Sequence, residues 1–166
     1  RGQVGMLFDW DTYWAFEYTI GPTVDLEYVD QIQRYYEYFY EKQIEVDMIP
    51  YDGDFSKYKV VVAPVCYMVK SGMKEALDAY VKNGGTLILT YMGGLVDEND
   101  NIYVGGYPGP FRDMAGIWVE EIDALAPGAR NEVLFTDGTK GEGKIVCEII
   151  HPEGAEVLAT YGKEFY

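Results

Sequence analysis

The predicted fold depends on Val60-Val61-Val62-Ala63-Pro64, a continuously apolar run closed by a proline. Such a run is typical of a strand covered on both faces, as in a parallel sheet with helices above and below it. Val4-Gly5-Met6-Leu7-Phe8 predicts a second buried strand, and residues 86–90 predict a third. Residues 44–49 alternate apolar and acidic side chains, which predicts a half-buried strand nearer the edge of the sheet.

Two segments between these strands have helical spacing. Residues 25–42 carry a wide apolar stripe, and Asp25 is the predicted N-cap. Residues 71–82 carry a second stripe, with Ser71 as the predicted N-cap and Gly84 in the turn that ends the helix. The order strand, helix, strand, strand, helix, strand predicts an α/β fold with an open, mostly parallel, doubly wound sheet.

The remainder of the chain has a different pattern. Residues 92–113 form a long loop rich in glycine and proline, and its aromatic residues indicate that it is ordered and packed. Short strands are predicted after it, at residues 117–119, 133–135, 145–150 and 157–160. The C-terminal part is therefore expected to be β-rich and partly antiparallel.

Net charge limits the classes of partner. Thirteen Lys and Arg against 28 Asp and Glu give a net charge of −15 in 166 residues. Nucleic acid and anionic membrane surfaces would repel such a chain, so neither is an expected partner. No apolar run approaches the ~18 residues of a membrane span. No signal or transit sequence opens the chain, and a cytoplasmic location is expected.

Neither a metal nor a cofactor is expected. Cys66 and Cys147 each lie in an apolar run, which is typical of a buried reduced thiol, and His151 is the one histidine. The acidic segment from residue 97 begins like a calcium loop, but Ile102 and Pro108 stand where glycine and glutamate are needed. A turn is the expected structure there.

Two alternative hypotheses follow from short motifs. Asp9 and Asp11, with Thr90 later, resemble the Asp-x-Asp-x-Thr pattern of Mg²⁺-dependent haloacid-dehalogenase-type phosphatases. The chain lacks a late acidic pair at a strand end, so helix-cap and turn carboxylates are the competing interpretation. A degenerate amidotransferase-like module that binds a small ligand is the other hypothesis. Cys66 follows a strand, but residues 90–94, where the nucleophile elbow is expected, contain neither Cys nor Ser.

Aromatic residues are the compositional outlier, with 16 Tyr, seven Phe and three Trp. Trp and Tyr are enriched at protein interfaces because they combine apolar area with a polar tip. The candidate residues for contact with a partner or a sugar are Trp10, Trp14, Phe16, Tyr107, Phe111 and Arg112. The competing interpretation is core packing for the first three and a loop folded on its own domain for the others.

One set of stretches remains to be explained, and its most specific member is Gly105-Gly106-Tyr107-Pro108-Gly109-Pro110. The other members are Val4 to Trp14, Tyr58 to Pro64, Tyr80 to Leu87, Val96 to Asp100, and Asp113, Gly116, Glu120 and Glu121. Together they resemble the trimerisation domain, the middle domain, of glycoside hydrolase family 42 β-galactosidases, and they cover most of residues 4–125 in the family's order. Residues 127–166 match loosely.

The resemblance implies a flavodoxin-like, or class I glutamine amidotransferase-like, sheet without the nucleophile. It implies that residues 1–166 are a single domain and a fragment of a longer enzyme. The barrel and the C-terminal segment of that enzyme would lie outside this fragment. The parent would be a retaining β-galactosidase whose two catalytic Glu lie in its (β/α)₈ barrel. The expected partners are that barrel and neighbouring subunits of a homotrimer. This chain itself is expected to be non-catalytic and to help enclose the active sites.

Overall fold

A computed structural model describes residues 3–19 and 21–162, which form eleven strands and four α-helices. The elements are β1 Val4–Leu7, α1 Trp10–Tyr18, α2 Tyr28–Glu41, β2 Val46–Ile49, β3 Val60–Ala63, β4 Met68–Val69, α3 Met73–Lys82, β5 Thr86–Leu89, β6 Val96–Asp97, α4 Arg112–Ala115, β7 Ile117–Ala124, β8 Asn131–Phe135, β9 Lys140–Gly143, β10 Val146–Pro152 and β11 Ala159–Tyr161.

The N-terminal part is built on a parallel sheet with the strand order β2-β1-β3-β5. The prediction of a parallel sheet is confirmed, and β2 lies at its edge as its alternating pattern indicates. Successive side chains of a strand point to opposite faces. Met6 and Val62 accordingly join the core that contains Tyr28 and Ile32 of α2. Their neighbours Leu7 and Val61 join the core that contains Met73 and Leu77 of α3, so the two helices cover opposite faces.

The C-terminal part is antiparallel, also as predicted. β10 pairs with β7, and a three-stranded sheet has the order β11-β8-β9. The predicted loop at residues 92–113 is ordered and includes β6, which pairs with β4 in a small parallel sheet. The fold is therefore mixed α/β, with a parallel sheet first and antiparallel sheets after it.

Several local features differ from the sequence prediction. The N-cap of α2 is Glu27 rather than Asp25, and the N-cap of α3 is Gly72 rather than Ser71; neither cap makes a side-chain hydrogen bond. The structure also contains five elements that the pattern did not indicate, namely α1, β4, β6, α4 and β9. The aromatic residues of α1 are not confined to one face, and Lys140–Gly143 contains residues that disfavour strands.

Candidate assembly surface

An exposed aromatic face lies on α1, directly after the first strand. Trp10, Trp14 and Tyr18 follow one another at intervals of four residues, so they share one side of the helix. Their exposed fractions are 61%, 52% and 87%, and the ring centroids of Trp10 and Trp14 are 6.3 Å apart. We call these three residues the α1 aromatic face. Large aromatic side chains left this exposed are typical of a contact surface.

Asp9 anchors the first turn of α1. Its Oδ2 accepts hydrogen bonds from the backbone N–H and the hydroxyl of Thr12, both at 2.9 Å, which is the geometry of an N-cap. The backbone N–H of Asp9 donates to the phenol oxygen of Tyr28 at 3.1 Å. Burial raises the pKa of Tyr28, so its hydroxyl stays neutral at this joint between α1 and α2.

Lys70 lies between the two aspartates. Its Nζ is 2.6 Å from Oδ1 of Asp9 and 2.5 Å from Oδ2 of Asp11, and it lies 4.4 Å from the ring centroid of Tyr51. The Lys70 side chain is only 11% exposed. Sequence reasoning missed this residue, because a single lysine 59 positions beyond Asp11 gives no local signal.

The phosphatase hypothesis is not supported by this arrangement. Lys70 occupies one oxygen of Asp9 and Thr12 occupies the other, so the predicted nucleophile is committed to the helix cap. The hydroxyl of Thr90 accepts a hydrogen bond from the backbone N–H of Val65 at 2.7 Å, so it too is engaged in a structural contact. The competing interpretation, carboxylates that cap and close a turn, describes what these residues do.

The amidotransferase-like hypothesis is not supported either. Met92 occupies the elbow position with φ +55°, and its backbone N–H donates to the buried carboxylate of Glu148 at 2.7 Å. Cys66 is buried, and desolvation raises the pKa of its thiol to about 12. His151 stacks on Trp118 and its ring nitrogen lies 2.6 Å from Glu120, so it serves no thiol.

The loop that carries Tyr107, Phe111 and Arg112 folds onto its own domain. Phe111 is 0% exposed in the core, which corrects its prediction as a contact residue, because a side chain with no surface cannot touch a partner. Arg112 is bound to both carboxylate oxygens of Glu153, and its guanidinium lies 5.7 Å from the Trp118 ring. Tyr107 is half-buried and exchanges backbone hydrogen bonds with β7.

Phe16 lies on α1 but packs inward. Its ring centroid lies 6.2 Å from that of Tyr28 in a stacked arrangement and 5.0 Å from that of Tyr67 in an edge-to-face arrangement. Of the six predicted contact residues, Trp10 and Trp14 therefore have the exposure that a partner needs. Tyr18 is a third member of the same face that sequence reasoning missed, because α1 itself was not predicted.

Metal and membrane sites were sought over residues 3–19 and 21–162. That part of the chain contains no cluster of three His, Cys, Asp or Glu side chains able to hold a metal ion. The carboxylate of Asp97 accepts the backbone N–H groups of Asn99 and Asn101, which makes the acidic segment a turn as expected. Within the same ranges, every helix is too short or too polar to cross a membrane.

Comparison with known proteins identifies close relatives over the whole chain. The family described as beta-galactosidase trimerisation domain matches residues 2–166. Beta-galactosidase LacZ of Lactobacillus acidophilus is 49% identical over 166 residues, which are 100% of this chain and 25% of that protein. Beta-galactosidase Pbg of Clostridium perfringens is 48% identical over 171 residues, covering 99% of this chain and 25% of its own length.

Solved structures agree with this result. The beta-galactosidase from Bacillus circulans sp. alkalophilus superposes with a TM-score of 0.97 at 45% identity, covering 99% of this chain and 25% of that one. The cold-adapted enzyme from Rahnella sp. R3 gives 0.95 at 39% identity, over 100% of this chain and 26% of its own. The chain thus spans about a quarter of the length of the relatives it matches. It belongs to the beta-galactosidase trimerisation domain family.

Proposed function

We propose that this chain is the non-catalytic assembly domain of a homotrimeric β-galactosidase, and that it helps to enclose active sites built by other domains. The observation that carries the proposal is the family match across residues 2–166 together with relatives four times as long. In this proposal the parent hydrolyses terminal β-galactosides with retention, and its two catalytic carboxylates lie in a (β/α)₈ barrel outside this segment.

The chemistry of the chain supports a non-catalytic role. Asp9 and Asp11 are bound to Lys70, and the Cys66 thiol is buried with a raised pKa. Each group that the sequence offered for catalysis is thus held by a structural contact. The cluster of Asp9, Asp11 and Lys70 lies at the carboxyl ends of the strands, where open α/β sheets usually bind ligands. Here those strand ends position α1.

The α1 aromatic face supports a role in assembly. A homotrimer brings three copies of a chain with net charge −15 together, and like charges repel. Burial of aromatic surface supplies an attraction that does not depend on charge, at about 25 cal/mol per Å² of apolar area. Trp10 and Trp14 are therefore the proposed contact residues, with the neighbouring subunit or its barrel as the partner. Tyr107 and Arg112 would contribute only through the backbone and edges that their loop leaves exposed.

Three further expectations, on the fold type, the place in the longer enzyme and the cellular location, accompany this proposal. The strand order β2-β1-β3-β5 supports a flavodoxin-like or amidotransferase-like sheet. The chain acts as one domain of the longer enzyme, joined to its own barrel. The enzyme works in the cytoplasm, where the two reduced cysteines of this segment would persist.

The test uses the full-length parent enzyme and measures its solution mass by sedimentation over a wide concentration range. The wild type is expected at three times the protomer mass. The double variant Trp10→Ala with Trp14→Ala is expected to dissociate at concentrations where the wild type stays assembled. Tyr38→Ala is the matched control, since Tyr38 is 60% exposed and lies on α2 rather than on α1. A wild-type enzyme that sediments as a monomer at every concentration would refute the proposal.

A further inference from the structure

Tyr13, Ala15 and Phe16 pack α1 against the core only in part, and polar contacts hold its first turn. Thr12 is the one fully buried side chain of this nine-residue helix. Helices of this length are marginal on their own, and an apolar face packed on a core normally holds them in place. The most exposed aromatic rings of α1 point away from the core, so they contribute little to holding it. The polar contacts at its N-terminus therefore add to this partial packing in fixing the direction of the helix.

Lys70 joins three segments at this point. Asp9 and Asp11 follow β1, Tyr51 follows β2, and Lys70 follows β4. Only the compact ammonium of a lysine offers three donors from one atom, and here it contacts two carboxylates and one aromatic face. Desolvation alone would lower the pKa of Lys70, but the hydrogen bonds to Asp11 and Asp9 raise it above the ordinary value. The ammonium thus stays charged and keeps both carboxylates in place.

We propose that Lys70 is a positioning residue that fixes the orientation of α1 and so presents the α1 aromatic face to the neighbouring subunit. This inference rests on the proposed function, because it needs an assembled parent. It goes further in assigning a role in assembly to a nearly buried residue that itself lies outside the contact surface. Interface affinity is sensitive to pre-organisation, since a helix that must be ordered on binding spends part of the interaction energy.

Two variants break the arrangement to different degrees in the full-length parent. Lys70→Met removes both ion pairs and leaves Asp9 buried beside an apolar chain. Asp11→Asn removes one pair only; Asp11 is 52% exposed, so this variant keeps the fold if Lys70→Met does not. Lys82→Met is the matched control, because Lys82 also pairs with an aspartate, Asp78, at 2.9 Å but lies on α3.

The first measurement is the concentration at which the trimer half-dissociates. Asp11→Asn and Lys70→Met are expected to raise it about tenfold, and Lys82→Met is expected to leave it unchanged. Because the dissociation constant of a trimer scales as the square of this concentration, tenfold corresponds to about 2.7 kcal/mol per trimer. Hydrogen exchange of residues 10–18 is expected to accelerate in the first two variants, while exchange in α2 and α3 stays at the wild-type rate.

A double-mutant cycle separates positioning from general stability. If Lys70 acts through the α1 aromatic face, Lys70→Met costs little extra assembly once Trp14→Ala is present, so the two changes are not additive. Additive losses would overturn the inference, as would unchanged assembly in both Asp11→Asn and Lys70→Met. If assembly is unchanged in Asp11→Asn and Lys70→Met but the Trp10→Ala, Trp14→Ala variant dissociates, only the role of Lys70 is refuted and the proposed function stands. A monomeric wild type would refute the proposed function itself.

Discussion

Glu148 is the clearest case of a residue whose properties come from its surroundings. It is buried in β10, and its carboxylate accepts the backbone N–H of Met92. Desolvation raises its pKa to about 6 and outweighs the opposite effect of that hydrogen bond. A folded-state pKa above the unfolded one means that this group favours folding below pH ~4.5, and that the benefit is lost as the pH rises through about 6.

Glu148→Gln should therefore stabilise the chain at neutral pH. Glutamine keeps an oxygen for Met92 but never ionises, so the cost of the buried charge disappears. We expect the free energy of unfolding to rise by about 1–2 kcal/mol at pH 8 and by little at pH 4.5, measured by denaturant titration. Glu156→Gln, at an exposed position, is the control and should show no such pH dependence. An equal effect of Glu148→Gln at both pH values would contradict the assignment.

Gly94 tests close packing at the elbow. Its φ is +65°, and a Cβ there would lie 2.2 Å from the carbonyl oxygen of Pro108. Because that atom belongs to the backbone, the loop has to move to make room. Gly94→Ala should lower the free energy of unfolding by more than ~2 kcal/mol. Gly84→Ala is the matched control: Gly84 has φ +91° but no atom within 4 Å of the added Cβ, so only the conformational cost of ~1 kcal/mol remains. Thermal melts of the two variants would differ little if the close approach were unimportant.

At the scale of single elements, α2 begins without a side-chain cap. Glu27 is the N-cap residue and has the extended backbone conformation that the position needs, but its side chain accepts no hydrogen bond from the first turn. Glu27→Ser should stabilise the helix by about 0.5–1 kcal/mol, because a serine hydroxyl reaches the free N–H groups. Asp25→Ser, at the position predicted from the sequence, should be neutral. A gain from Asp25→Ser and none from Glu27→Ser would show that the helix starts earlier in solution.

The elements that the sequence predicted are those with a strong period. β1, β3 and α3 were predicted because each has an unbroken apolar run or a stripe facing one core. α1 was not, since aromatic residues on several sides of a helix produce no stripe, and Trp10, Trp14 and Tyr18 are exposed. β9 was not, because its four residues form a strand only through pairing with β8. Local propensity cannot report a partner strand that is distant in sequence.

For the whole molecule, the rate at which a reagent labels the two buried cysteines measures how often the folded chain opens. Cys66 lies in the parallel part and Cys147 in β10, and both are free and buried. An aromatic disulfide reagent should therefore label neither thiol within minutes in the native state and both after denaturation, because reaction requires an opening event. The absorbance of the released aromatic thiol, at a fixed reagent concentration, gives the number of cysteines labelled. Rapid labelling of Cys66 in the folded chain would restore the possibility of a reactive thiol at the strand ends.

The sequence by itself determined the fold class, the family and the absence of a workable catalytic set, because each depends on local periods or on motifs that lie together in the chain. The tertiary structure alone decided which aromatic residues are available. In that structure Phe111 is buried in the core, Arg112 is hydrogen-bonded to Glu153, and Trp10 and Trp14 are exposed. It also brought Lys70 to Asp9 across 61 positions. Exposure and long-range ion pairs follow from how the strands are ordered in space, and no window along the chain contains that information.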